Sequence, residues 1–370
     1  MYNKITPGSI WLDTDGNKIQ AHGASIICVG DTYYLYGENK EKTYADSGYW
    51  HNGMNCYSSK DLMNWKYEGV ILKPHEAPSS PLHHSKMCDR PHILYNKETK
   101  KFVMWIKVMG DEPIDGENSD FEAHNRQFMC IATSDSMTGK FEFLKKVYPA
   151  DMYSGDFDLY ANPTDGKAYI LFERPHTEMI IADLTSDYTD VTGYYTAHFP
   201  HPGAPFTREA PCLFRKDGKF YLITSGSTGY FPNPSEIATA DLIHGPWDVL
   251  GNPCVDDHYN DSFNCQFSSV FKVPGKELYM ALGDRWMAGT TLEVAAAGKT
   301  NTALATYVWL PIKINDDMPV IEWKDEWSPA DYPDEVQVDP MQEMIKQMRG
   351  AASSFMKRKE DENKKEYVGE

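Results

Sequence analysis

The sequence predicts an all-β chain: a five-bladed β-propeller with a C-terminal helical or disordered tail. Three observations carry this. A β-hairpin pattern recurs five times, a second turn signature follows most of the hairpins, and the composition changes near residue 328.

The hairpins are His22–Tyr36, Asp89–Trp105, Asp156–Leu171, Glu209–Ile223 and Gln266–Met280. Each opens on a polar residue, runs through a short apolar strand and a turn, and returns as a second strand rich in Tyr, Phe and Ile. Gly30-Asp31, Asp165-Gly166, Asp217-Gly218 and Pro274-Gly275 supply the turn chemistry in four of them. Beyond the first, second and fourth hairpins, Asp61, Asp135 and Asp241 each start a tight turn before an aromatic-led strand, and Asp187 gives a weaker version after the third. A hairpin plus outer strands makes about four strands per unit, the blade of a propeller. The leading residues are spaced by 53 to 67 positions, more than the roughly 40 to 50 of common propeller repeats, so long loops are expected. A β-sandwich with coincidental hairpins is the competing fold; recurrence of both signatures favours the propeller. Residues 1–328 form the expected catalytic domain. In the tail, 329–370, Met341, Met344, Ile345 and Met348 share a helical face, followed by the mixed-charge run 357–366.

Of 370 residues, 36 are Lys or Arg and 54 Asp or Glu, a net charge of −18 that repels nucleic acid and anionic lipid. No apolar stretch reaches the roughly 18 residues of a membrane span. The N-terminus lacks the apolar segment of a secretory signal, so the expected location is cytoplasmic. The seven cysteines are scattered, with no Cys-x-x-Cys pair, and are expected as reduced, mostly buried thiols. Aromatic residues make up 13% of the chain, with nine Trp and 23 Tyr; their faces suit sugar rings as well as core packing.

In a propeller the innermost strands surround one channel, so His22, Asp89, Asp156, Glu209 and Gln266 are expected to meet there. Buried together without partners they would each cost several kcal/mol, which packing alone does not justify. The structural alternative is ion pairing, Asp89 with Arg90 and Glu209 with Arg208. Converging carboxylates suit glycoside hydrolysis, in which a protonated acid serves the leaving oxygen and an opposite group activates water. Glu209 is the best acid, because Ala210, Pro211, Cys212, Leu213 and Phe206 would surround it with apolar surface and raise its pKa. Asp156 could tune that pKa. Tyr230, Trp286 and Trp309 are candidate substrate-binding platforms, or core residues.

On Trp11–Gly23, Tyr36–Asn39, Asp89–Pro91, Arg208–Pro211, Thr224–Asn233, Gly251–Cys254, Gly283–Trp286 and Tyr307–Ile312, the chain resembles glycoside hydrolase family 43. The likeness covers roughly residues 8–328 and is strongest to the branch of exo-β-1,3-galactanases and related α-L-arabinofuranosidases. It implies that Glu209 stands at the catalytic acid and Asp156 at the pKa-modulating aspartate. Most of the family has its general base as an Asp in blade one, where this chain has Ala21-His22-Gly23. The branch shares that departure, and has a Gln at the place of Gln266 and an acid, usually Glu, at that of Asp89. Asp89 is then the expected base, with Gln266 positioning the water and His22 assisting. The family often holds one calcium ion in the channel, for which Glu38, Asp156, Gln266 and Asp284 are the candidate ligands; a water cluster is the alternative.

The expected function is an exo-acting, inverting glycosidase on small oligosaccharides. It would release terminal α-L-arabinofuranose from hemicellulose-derived oligosaccharides, with β-D-xylosides as a second substrate class. The alternatives are an exo-β-1,3-galactosidase and a carbohydrate-binding propeller without catalysis. A phosphorylase is disfavoured, since no pair of basic residues stands among the axial five.

Overall fold

The computed structural model describes residues 1–44, 46–110, 126–291, 293, 301–314 and 318–336, with isolated tail positions beyond them. The first hairpin forms as β1 (His22–Val29) and β2 (Thr32–Glu38), and β3 (Met54–Ser59) and β4 (Lys66–Leu72) complete an antiparallel blade. The second blade is β5 (Met87–Asn96), β6 (Lys101–Met109), β7 (Phe128–Ser134) and β8 (Glu142–Val147). The third is β9 (Phe157–Ala161), β10 (Ala168–Arg174), β11 (Glu178–Leu184) and β12 (Val191–His198). The fourth is β13 (Arg208–Lys216), β14 (Lys219–Gly226), β15 (Glu236–Ala240) and β16 (Asp248–Gly251).

In the fifth blade, β17 (Cys254–Val255) precedes β18 (Gln266–Lys272), β19 (Tyr279–Arg285), β20 (Thr306–Ile314) and β21 (Pro319–Glu322). There β17 adds to the outer edge, parallel to β21. The innermost strands close a ring: β1 packs on β5, β5 on β9, β9 on β13, β13 on β18, and β18 on β1. The chain start seals it, for Ile5 and Trp327 exchange backbone hydrogen bonds of 2.7 and 3.0 Å and Gly8 N donates to Tyr307 O.

The core lies in wedges between neighbouring blades. Along β10, Ile170 and Phe172 face the wedge shared with blade two, while Leu171 faces the one shared with blade four. Both faces of such a strand are covered, which is why Phe102–Met109 reads as a nearly continuous apolar run rather than an alternating one. Each fully buried Leu, Ile or Phe contributes about 1.5 to 3 kcal/mol. The recurring aspartate also acts as expected: Asp61 Oδ1 accepts from the Met63 and Asn64 amides, both at 2.8 Å, and turns the chain toward β4.

One device repeats at the channel. The register slips at His22/Ser25, Asp89/His92, Glu209/Cys212 and Phe267/Ser269, each time just past a leading polar residue. In three of these bulges the next residue takes a left-handed conformation, with φ of 55° at Gly23 and 50° at Arg90 and Ala210. A bulge bends the strand end and re-aims its side chains.

Residues Met1–Pro274 and Leu278–Tyr332 make up this propeller unit, and Gly275–Glu277 with Pro333–Glu370 a second one. In the second unit Glu277 N donates to Pro333 O and Lys276 pairs with Asp334. Met341, Ile345 and Met348 of the expected helical face are helical and exposed, whereas Met344 and most of the run 357–366 lie outside the described residues. The seven cysteines are free thiols, six of them buried. Among the described residues no helix is long and apolar enough to cross a membrane.

Candidate active site

Four of the five leading residues, Asp89, Asp156, Glu209 and Gln266, line one cavity of about 380 Å³ where the inner strands converge. That volume is at the low end of small-molecule sites, which run from about 300 to 1,000 Å³.

Three buried cations lie among these acids. Lys107, near the end of β6, sits 2.7 Å from Asp156 Oδ1 and 3.2 Å from Asp89 Oδ2. Lys40 sits 2.5 Å from Glu38 Oε2 and 3.4 Å from Asp89 Oδ1. Arg90 Nε lies 2.8 Å from Asp156 Oδ2, its Nη2 donates to Gln266 Oε1, and its backbone N–H donates to Glu38 Oε1 at 2.9 Å. The expected pairings of neighbours do not form. Arg90 reaches across to the third blade, and Arg208 holds Thr224 and approaches Glu236.

This arrangement splits the carboxyls into two kinds. Burial would raise the pKa of Asp89, but Lys107 and Lys40 outweigh it and hold the group below the usual carboxylate range. Asp156 is held down in the same way by Arg90 and Lys107. Glu209 goes the other way: removal from bulk water, then the charges of Asp156 and Glu173, push it well above its ordinary value. Phe206, expected in its apolar surround, is exposed, so the elevation comes from cavity depth and neighbouring charge. Glu38 is pushed up to about 8 and Glu173 to about 7, in both cases by burial first.

Gln266 is fixed by its neighbours. Arg90 and the Trp286 indole N–H can only donate, so the amide oxygen must face them. The amide nitrogen then faces Glu209 Oε1 at 2.8 Å and Ser225 Oγ at 2.9 Å. Both of its hydrogens and both oxygen lone pairs are engaged. In this arrangement Gln266 holds Glu209 in place.

His22 and Trp309 do not reach the cavity. His22 is fully buried, donates from Nδ1 to Asp284 Oδ1 at 2.8 Å, and stacks on Tyr307 with ring centroids 4.8 Å apart. Burial lowers its pKa, with Asp284 opposing, so it is a neutral support for the first and fifth blades. Trp309 is core, packed edge-on against Trp11 and Trp65. Trp286 and Tyr230 do line the cavity, as a T-shaped pair 5.6 Å apart.

The expected calcium ligands do not fit an ion. The side-chain oxygens of Asp156, Gln266 and Asp284 already meet donors of the chain, Glu38 Oε1 accepts from the Arg90 amide, and Glu38 Oε2 pairs with Lys40 without a hydrogen bond; Asp284 lies behind the cavity on His22 and the Gly23 amide. Among the described residues, no three His, Cys, Asp or Glu side chains are arranged to hold a metal ion. Calcium needs six to eight oxygens at about 2.3 to 2.6 Å.

Sequence reasoning missed Lys40, Lys107, Glu173, Trp50 and His176, all on the cavity wall. Lys107 and Glu173 did carry a signal, since each interrupts or ends an apolar strand, where a charge needs a partner. Trp50 and His176 sit on loops and carried none.

The glycosyl hydrolases family 43 model matches residues 18–291. A solved GH43 β-1,3-galactosidase is 33% identical, with a TM-score of 0.75, covering 89% of this chain and 64% of its own. An exo-β-1,3-galactanase from Phanerochaete chrysosporium, solved with β-1,3-galactotriose, is 26% identical with a TM-score of 0.73, covering 88% of this chain and 68% of its own. A β-xylosidase of Bacillus subtilis is 22% identical over 322 residues, 82% of this chain and 54% of that protein. The chain spans about half the length of the curated relatives it matches.

Proposed function

The chain belongs to glycosyl hydrolase family 43, and from that premise we propose that it removes the terminal β-1,3-linked galactose of short oligosaccharides, with inversion at the anomeric carbon. The single observation that carries the reading is the divided set of carboxyls in one cavity: Glu209 held by Gln266 with its pKa raised by burial, and Asp89 between two lysines that favour its ionised form.

In the proposed reaction Glu209 gives its proton to the glycosidic oxygen as the C–O bond breaks. Water attacks the anomeric carbon from the other face and passes a proton to Asp89. The lysines that keep Asp89 ionised also make it a weak base. A weak base suffices, because the attacking water becomes strongly acidic as it bonds to the electron-poor carbon. The small cavity supports a terminal sugar rather than a threaded polymer, and Trp286 and Tyr230 supply ring faces for it.

Names of the solved relatives support galactose, and the xylosidase relatives support β-xylose as the second reading. The arabinofuranoside reading rests on the sequence resemblance alone. The test is β-1,3-galactobiose and a panel of nitrophenyl β-galactoside, β-xyloside and α-L-arabinofuranoside, with proton NMR of the first product. Galactose appearing first as the α anomer is expected. Release of the β anomer first would overturn inversion, and turnover of another sugar alone would overturn the substrate.

A further inference from the structure

We propose that Arg90 is the resident cation of the channel, occupying the role a calcium ion would have, and that it is the positioning residue through which Asp156 and Gln266 are held in register with Glu209. The inference rests on what Arg90 touches. Its side chain is buried, 4% exposed, and its contacts reach three other blades. Nε meets Asp156 on the third blade at 2.8 Å; Nη2 donates to Gln266 and Nη1 to Phe267 O at 3.5 Å on the fifth; the backbone N–H donates to Glu38 on the first at 2.9 Å.

The backbone is shaped for this. Arg90 lies in the bulge of β5 with φ of 50°, a left-handed conformation that a non-glycine residue adopts only where its surroundings enforce it. The neighbouring strand makes room: a Cβ on Gly23 would lie 3.2 Å from Arg90 Cα and 2.4 Å from Glu38 Oε1. A guanidinium is planar and forked, so it can meet a carboxylate and an amide oxygen at fixed angles, which a spherical ion does not do. With Lys40 and Lys107 alongside, three fixed positive charges already face the acids. A divalent ion would add two more, against oxygens of Asp156 and Gln266 that already meet these cations.

The proposal is read out by the cation, not by the sugar, so it stands or falls apart from the substrate assignment. Calcium chloride titrated calorimetrically into the chelator-treated full chain should give no binding heat, and neither calcium nor EDTA should shift the melting temperature. Saturable calcium binding with a concentration-dependent rise in melting temperature would overturn it. Arg90→Ala should lower turnover of whichever glycoside the wild type cleaves by about 100-fold. Low-millimolar guanidinium should restore part of that saturably, while ammonium should not. Arg90→Lys should stay impaired, since it keeps the charge but loses the fork. A folded Arg90→Ala chain with wild-type turnover, or one that guanidinium does not rescue, counts against the positioning role. If Arg90→Ala does not fold, the wild-type calcium titration decides.

Discussion

Gln266 Nε2 donates a 2.8 Å hydrogen bond to Glu209 Oε1, joining the inner strand of the fifth blade to that of the fourth. An amide N–H marks the oxygen it touches as the acceptor, so the proton of Glu209 belongs on Oε2, the atom free to meet a glycosidic oxygen. Gln266→Ala removes that mark. The expected result is a fall in kcat of about 10- to 100-fold with a smaller change in KM, measured by initial rates on the preferred disaccharide.

Replacing the acid itself has a leaving-group signature. Glu209→Gln should cost about 10² to 10⁴ in kcat/KM on a disaccharide and much less on a dinitrophenyl glycoside, whose leaving group needs no proton. Equal losses on both substrates would remove Glu209 from the acid role.

The pH profile carries a sign. Glu209 must keep its proton to work, so activity is lost as pH rises through its raised pKa. Asp156, ionised nearby, is one cause of that elevation, so Asp156→Asn should move the alkaline limb of kcat/KM to lower pH. A limb that stays in place would mean that Asp156 does not act through Glu209.

Lys107 balances two carboxylates at once. Lys107→Met leaves Asp156 with Arg90 alone and Asp89 with Lys40 alone, an excess of buried negative charge that should destabilise the fold by about 1 to 3 kcal/mol at neutral pH, read from urea unfolding. Asp89 and Asp156 have folded pKa values below the unfolded one, so their contribution is present above the unfolded value of about 3.9 and is lost as pH falls through the folded values. The deficit should therefore be constant near neutrality and narrow in acid.

Two tryptophans that look alike in sequence should separate. Trp309→Ala opens a cavity in the wedge between blades five and one and should cost about 3 to 5 kcal/mol of stability. Trp286→Ala also frees the amide oxygen of Gln266 from one donor, and should show first as a raised KM and a lowered kcat.

The blades were legible because each hairpin sets two apolar strands around a polar turn, in four of them with a Gly-containing dipeptide, a local pattern that folding does not rewrite. Asp89, Asp156, Glu209 and Gln266 were legible because each leads such a hairpin. The same rule failed at His22, whose imidazole is claimed by Asp284, behind the cavity and 262 positions along the chain, together with the Gly23 amide. Arg90 was visible in the sequence, but its partner was not. Which acid a buried arginine meets depends on how the blades are set around the ring, and Asp156 lies 66 positions away along the chain. The calcium expectation was drawn from the acids alone, because the cations answering them, Lys40 and Lys107, could not be placed beside them from the sequence.

The seam of the circle is fastened at Ile5 and Gly8, which reach over to Trp327 and Tyr307. Those few main-chain links bridge the two blades that carry Glu38 on one side and Gln266 and Trp286 on the other. The chemistry therefore leans on a clasp that touches no reacting atom. Trimming the first eight residues should let the hoop gape, with turnover failing while the far-ultraviolet β signature persists.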